Sequence, residues 1–195
     1  MPFTTEEFKT LTERHGRYGS WAIWSYLKGR TGERSCDPIT ENVHLLNSKH
    51  VVIGLNISKP VSTWGNFRGG THDRKLKYAF NDSDLKGCYM TDLFKDVVNP
   101  NSTSFNNYIE SQPHLTQHNV NLFRQEMSNL KITPETTFTL MGTEQSILAT
   151  LYQKYFRIHF PDTKLIYHRH YSSRGSDKEW VESIWQTLGI MLDYN

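Results

Sequence analysis

The chain has 195 residues, of which 36% are hydrophobic and 22% charged, and its formal net charge at pH 7 is +2. This length suits one domain with its own core, and no apolar run approaches the roughly 18 residues of a membrane-spanning helix. The first seven residues are acidic and lack the apolar stretch of a secretory signal, so we expect a cytoplasmic monomer that does not bind membranes.

The N-terminal residues 1–45 are predicted to form a helical extension packed on the rest of the domain. Thr4 and Glu7 have the spacing of a capping box, which predicts a helix over residues 5–14. Residues 21–24, with the sequence Trp-Ala-Ile-Trp, fit either an edge strand or a helical turn, and the pattern leaves that choice open.

The remainder of the chain alternates between short apolar strands and amphipathic helices. Strands are predicted near residues 50–56, 88–93, 136–142 and 163–168. Helices are predicted over residues 73–81, 116–130 and 143–156 and from residue 176 onward, with a long polar loop through residues 100–102. Because strands separated by helices imply right-handed crossovers, we predict a single α/β domain over residues 1–195. Its architecture would be a three-layer α/β/α sandwich with a short four-stranded parallel central sheet.

Polar residues stand where these strands end, which is where such sheets bind ligands. The rule directs attention to Asn56, Asp92, Gly142 and residues 168–173. Gly54 would permit the close approach of a ligand or of another chain segment. Asn56 would offer an amide donor and acceptor at the mouth of the cleft, or would simply turn the chain after the strand.

The segment from residue 168 to residue 175 contains two histidines, two arginines and two serines. It reads either as a functional loop at the same edge of the sheet or as a solvated loop leading to the last helix. Basic side chains of this segment and of the helix near residue 74 would form a rim that contacts phosphates, or an ordinary solvated surface. The residues of this predicted DNA-backbone rim are Arg68, Arg74, Lys75, Arg169 and Arg174.

Together these segments resemble the uracil-DNA glycosylase superfamily, as a divergent member nearest to its mismatch-specific branch. Residues 54–56, Gly-Leu-Asn, are similar to the start of a Gly-Ile-Asn-Pro-Gly motif, although Ile57 and Ser58 replace its Pro-Gly. Residues 170–172, His-Tyr-Ser, are similar to the family's His-Pro-Ser, and His168 is the competing alignment. Residues 90–95 resemble an Ile-Thr-Asn-Val-Val-Lys stretch of the family, and residues 138–143 resemble its strand-three Ala-Leu-Gly segment, which leads into a helix.

The resemblance implies a uracil-DNA glycosylase-like fold and hydrolysis of the N-glycosidic bond of a damaged or mismatched base in DNA. His170 would donate a hydrogen bond to the departing base, and Asn56 would orient the attacking water. The predicted base-binding residues are Phe67, Asn66, Asp92, Ser172 and Gly54. Asp92 stands where the resembling stretch has Asn; a carboxylate repels the oxygens of uracil, so an amino-bearing base such as cytosine or adenine would suit it better.

Two other functions remain open from the sequence. The chain could be a non-catalytic binder of nucleic acid or nucleotide with the same fold, or a hydrolase of free nucleosides that needs no basic rim. We expect no cofactor and no metal, because Cys36 and Cys88 are too few for a four-cysteine site and the histidines lack metal-ligand spacing. DNA is the expected partner by resemblance.

Overall fold

A computed structural model of the protein describes residues 3–25, 34–57, 61–97 and 102–190. The described strands are β1 (Ser20–Trp21), β2 (Asn47–Asn56), β3 (Cys88–Phe94), β4 (Thr137–Met141) and β5 (Lys164–His168). The described α-helices are α1 (Thr5–His15), α2 (Asp37–Glu41), α3 (Arg74–Phe80), α4 (Ser102–Glu110), α5 (Pro113–Asn129), α6 (Ile147–Leu151) and α7 (Asp177–Leu188).

The sheet is mixed and has the strand order β1-β3-β2-β4-β5. Strands β2 to β5 are parallel to their neighbours, whereas the two-residue β1 pairs antiparallel with β3. The α/β class is confirmed, but the expected four-stranded parallel sheet is wrong, because the sheet has five strands and is mixed. Of residues 21–24, Trp21 belongs to the edge strand β1, and residues 22–24 lie in neither a strand nor a helix.

Alternate strand residues point to opposite faces, and each face has its own apolar core. Val51, Ile53 and Phe138 pack in the cluster that includes side chains of α1, α4 and α5, while Val52 and Met90 pack in the cluster that includes α3 and α7. The protein therefore has three layers, with the sheet in the middle. None of the helices in the described part of the chain is long and apolar enough to cross a membrane.

Capping hydrogen bonds at the N-termini of α1 and α6 explain where these two helices begin. The capping box at Thr4 is present, with the side chains of Thr4 and Glu7 each bonded to the other's backbone N–H. The predicted helix over 143–156 starts later, because the Ser146 hydroxyl caps the N–H of Ala149, and its second half is a π-helical turn, Tyr152–Phe156.

The predicted loop through residues 100–102 is wrong for residue 102, which belongs to a helix. Residues 100 and 101 lie outside the described residues, but α4 begins at residue 102. Its Phe105 and Ile109 are fully buried in the same core as α5, so tertiary packing stabilises a helix whose sequence is otherwise polar.

Candidate functional site

A cleft of about 720 Å³ opens at the carboxyl ends of all four parallel strands. Because the chain runs from β2 outward to β3 and then back to β4 on the other side, the cleft lies where the strand order reverses. Its lining comes from five separate segments of the sequence, residues 55–56, 66–67, 92, 141–148 and 169–173. The lining residues used below are Asn56, Asn66, Phe67, Asp92, Arg169, His170, Tyr171, Ser172 and Ser173.

His170 enters the cleft as a neutral hydrogen-bond donor. Its Nδ1 accepts the backbone N–H of Ser172 at 3.1 Å and lies 2.7 Å from the Ser172 hydroxyl. Since Nδ1 accepts, the neutral ring carries its proton on Nε2. Burial, and next the nearby charge of His72, lower the pKa of His170 to about 4, so the ring is uncharged at neutral pH.

The competing histidine, His168, faces away from the cleft. Its ring packs edge-on against Trp180 of α7 and lies 3.1 Å from the Ser183 hydroxyl through Nε2. Only His170 of the two lines the cleft. Ser172, predicted as a base-binding residue, lines the cleft too, but its hydroxyl is engaged with the His170 ring and orients it.

Asn56 ends β2 on the same cleft. Its Nδ2 donates to the carbonyl oxygen of Val97 at 3.1 Å, which fixes the amide plane at the mouth. An amide oxygen can accept a hydrogen bond from water but is a poor base, so Asn56 can position a nucleophile without taking its proton. Asn56 and His170 thus share one cleft, although they stand 114 positions apart.

Asp92 lies near the base of the cleft, directly beside Gly54 on the neighbouring strand. A Cβ at Gly54 would overlap Oδ1 of Asp92, so the glycine makes room for the carboxylate. Asp92 Oδ2 accepts a hydrogen bond from Asn66 Nδ2 at 2.7 Å. Burial raises the pKa of Asp92 to about 6, while the bond from Asn66 and the charge of Lys95 act in the opposite direction.

The amide of Asn66 is held by the protein on both sides. Its Nδ2 also donates to the Tyr18 carbonyl at 2.8 Å, and its Oδ1 accepts the N–H of Phe67 at 3.0 Å. Both amide hydrogens are therefore used within the protein. Asn66 orients Asp92 and Phe67, and only Oδ1 retains capacity to contact a ligand.

Phe67 forms an aromatic wall, as predicted for this position. Its ring meets Tyr171 edge-on, with centroids 6.3 Å apart, and Tyr171 stacks on His170 at 4.2 Å. Phe67 has φ 59°, a conformation that bulky residues rarely adopt. The wall is therefore built on a strained backbone that its neighbours must hold in place.

The predicted basic rim is corrected for two of its five members. The Arg68 guanidinium is buried and donates to the carbonyls of Trp21, Ile23 and Ser35. The Lys75 ammonium is bonded to the carbonyls of Ser173 and Gly175, with the residue only 2% exposed.

The buried charges of Arg68 and Lys75 therefore hold backbone segments in place rather than contact phosphates. Arg74 pairs with Asp177, which ties α3 to α7. Arg169 lines the cleft and Arg174 is exposed, so these two remain available to the predicted rim.

The N-terminal extension contributes to the site in a way that the sequence analysis missed. The carbonyls of Tyr18, Trp21 and Ile23 accept the bonds that hold Asn66 and Arg68. Every residue type has a carbonyl, so no sequence signal marks these contacts. Tyr171, read as a departure from a motif proline, turns out to be a second aromatic ring beside Phe67.

The donor set of the cleft consists of amides, an imidazole, hydroxyls and one carboxylate. Among the described residues, no group of three His, Cys, Asp or Glu side chains lies close enough together to hold a metal ion. The arrangement can donate a hydrogen bond, orient a water and stack a flat ring. No protein-family model, no curated protein and no solved structure matches the chain.

Proposed function

We propose that the protein is a DNA N-glycosylase that hydrolyses the bond between a damaged or mismatched base and its sugar. One observation carries the proposal: Asn56 and His170 line the same cleft together with an aromatic wall, Phe67. A volume of about 720 Å³ lies within the range of small-molecule sites, which leaves room for a base turned out of the helical stack.

The chemistry of bond cleavage fits the state of His170. Breaking an N-glycosidic bond leaves positive charge on the sugar and negative charge on the base. The Nε2–H of a neutral imidazole can stabilise that negative charge, and Ser172 fixes this tautomer by donating to Nδ1. The lowered pKa keeps the ring neutral at pH 7, so its role is that of an electrophilic hydrogen-bond donor.

Asn56 supplies the other half of the reaction. Its amide, held by Val97, orients the water that attacks the sugar. Because an amide does not take up the proton of the water as a carboxylate would, we expect a slow enzyme. The two faces of the reaction then use two strand ends, those of β2 and β5.

The finer fold assignment is part of the same proposal. The four parallel strands β2 to β5 would be the short sheet of a uracil-DNA glycosylase-like fold, with β1 as an added edge strand. In support, the segment similar to the first motif ends β2, the segment similar to the second follows β5, and residues of both line the same cleft.

A free nucleoside is a second candidate substrate, and a specific observation favours it. Arg68 and Lys75 are bonded to backbone carbonyls and Arg74 is paired with Asp177, so most of the predicted phosphate contacts are engaged. A nucleoside hydrolase would need the cleft but not the rim.

One experiment separates these functions from a non-catalytic binder. Duplexes containing uracil, hypoxanthine or mismatches are incubated with the protein, and abasic sites are cleaved with alkali. We expect the wild type to cut at least one of these duplexes and His170→Gln and Asn56→Ala to cut none. His114→Gln, a control at an exposed histidine of α5, should cut as the wild type does.

The other outcomes point elsewhere. DNA binding without scission would contradict the proposal and indicate a binder. Turnover of free nucleosides without DNA affinity would support the second candidate. If DNA binds, the logarithm of its affinity should fall with the logarithm of salt concentration, and Arg174→Gln should reduce that slope by about one.

A further inference from the structure

Asp92 presents a carboxylate to the cleft without a cationic partner. Among the described residues, no lysine or arginine forms an ion pair with it, and Lys95 instead bonds the Asp92 carbonyl oxygen at 2.8 Å. Asn66 holds Oδ2, and Gly54 leaves space beside Oδ1. The carboxyl group is thus fixed in position and only 4% exposed.

An ionised carboxylate differs from an amide in one property that matters for the recognition of a nucleobase. It accepts hydrogen bonds but donates none, whereas an amide does both. A buried acceptor facing the oxygen of a keto base leaves both groups unpaired, which is costly. The same acceptor facing an amino group forms a charge-assisted bond.

We infer that Asp92 selects a base that carries an exocyclic amino group and rejects the corresponding keto base. This inference rests on the proposed function and specifies its substrate class. Asn66 acts as the positioning residue, because its second hydrogen, on the Tyr18 carbonyl, prevents the amide from turning its own donor toward the base.

Burial raises the pKa of Asp92 most, to about 6, and the charge of Glu126 also raises it, whereas the hydrogen bond from Asn66 and the charge of Lys95 lower it. With a pKa of about 6, the carboxyl group is mostly ionised at neutral pH. Burial, and next the charges of Asp73 and Asp92, raise the pKa of Tyr171. Below pH 6 a protonated Asp92 gains a donor, so selectivity for the amino base should decline in acid.

The test compares bases that differ by the exchange of an amino group for an oxygen, which also places a hydrogen on the neighbouring ring nitrogen. The pairs are cytosine with uracil and adenine with hypoxanthine, each placed in a short single-stranded oligonucleotide so that base pairing does not contribute. Release is measured for the wild type, for Asp92→Asn and for Asp162→Asn, an exposed control. Binding is measured in parallel on oligonucleotides with a 2′-fluorine, which destabilises the cationic sugar and prevents cleavage.

We expect the wild type and the control to favour the amino base in both pairs by about 10- to 100-fold, and Asp92→Asn to reverse or abolish that preference. Release with no amino preference, or a preference unchanged in Asp92→Asn, would overturn the inference and leave the proposed function standing. A binding preference that Asp92→Asn reverses, without release from any substrate, would support the inference and contradict the glycosylase. If Asp92→Asn fails to fold, the wild-type ratio decides: it should fall between pH 7.5 and 5, and a constant ratio would refute the inference.

Discussion

A fully buried ion pair, Lys95 with Glu126, connects α5 to the residue that follows β3. Lys95 Nζ lies 2.7 Å from Glu126 Oε2, and both side chains are fully buried. Glu126 also accepts the hydroxyls of Tyr89 at 2.8 Å and Thr91 at 3.1 Å, so it joins α5 to β3. Replacing Lys95 by Met keeps the length of the side chain and removes its charge.

The expected loss of stability in Lys95→Met arises because Glu126 is left as a buried carboxylate without a cation. A buried carboxylate without its cation costs about 3–5 kcal/mol in the free energy of unfolding. At about 2–4 °C per kcal/mol for a domain of this size, the melting temperature should fall by roughly 6–20 °C. The double variant Lys95→Met, Glu126→Gln should recover most of this loss, because the neutral amide still accepts from Tyr89 and Thr91.

Urea unfolding followed by circular dichroism measures each variant. Lys178→Met is the matched control, because Lys178 and Glu182 form a pair at 3.7 Å whose side chains are 83% and 43% exposed. It should change the free energy of unfolding by less than about 0.5 kcal/mol. A loss below about 1 kcal/mol in Lys95→Met, or a double variant as unstable as the single one, would refute the argument.

Three further variants test single contacts. Gly54→Ala should destabilise by about 1–3 kcal/mol in urea, and by less in an Asp92→Ala background, because the added methyl overlaps the carboxylate. Burial lowers the pKa of His50 to about 4, whereas the histidine of the unfolded chain binds a proton near pH 6.5. The free energy of unfolding should therefore fall by about 3 kcal/mol as the pH drops between these two values. His50→Gln should flatten this loss in a series of urea titrations. Lys75→Met should leave two loop carbonyls unpaired and accelerate proteolysis of the loop after β5. Under the proposed function, it should also raise KM for DNA more than it lowers kcat.

The strands were predictable because burial on both faces of the sheet leaves short apolar runs in the sequence. Val51 to Ile53 in β2 and Cys88 to Met90 in β3 are such runs, and all of these residues are buried. Helix α4 was missed because serine and asparagine dominate it. The spacing of Phe105 and Ile109, four residues apart, was the one signal that could have indicated it.

The site was predictable only where the residue type determines its chemistry. Asn56 and His170 were found from strand ends and residue identity, and the topology brings them to one cleft. Arg68 and Lys75 were assigned to the surface because a charged residue is rarely buried. Their partners are backbone carbonyls, which any residue carries, so the sequence holds no trace of the contacts that bury them.

The aromatic wall of the cleft, Phe67, shows how buried hydrogen bonds to the backbone support the proposed chemistry. A positive φ at Phe67 costs of order 1–3 kcal/mol, and a loop free to relax would not keep it. The side chain of Asn66 accepts a hydrogen bond from the Phe67 N–H. The side chain of the next residue, Arg68, donates to the carbonyl of Trp21 in the edge strand. The ring is therefore in position before any base arrives, and the ordering cost of building the wall is met in folding rather than in binding. Under the proposed function, a preformed slot would discriminate by the hydrogen bonds of the base itself, and the carboxylate of Asp92 would be the group that selects the base.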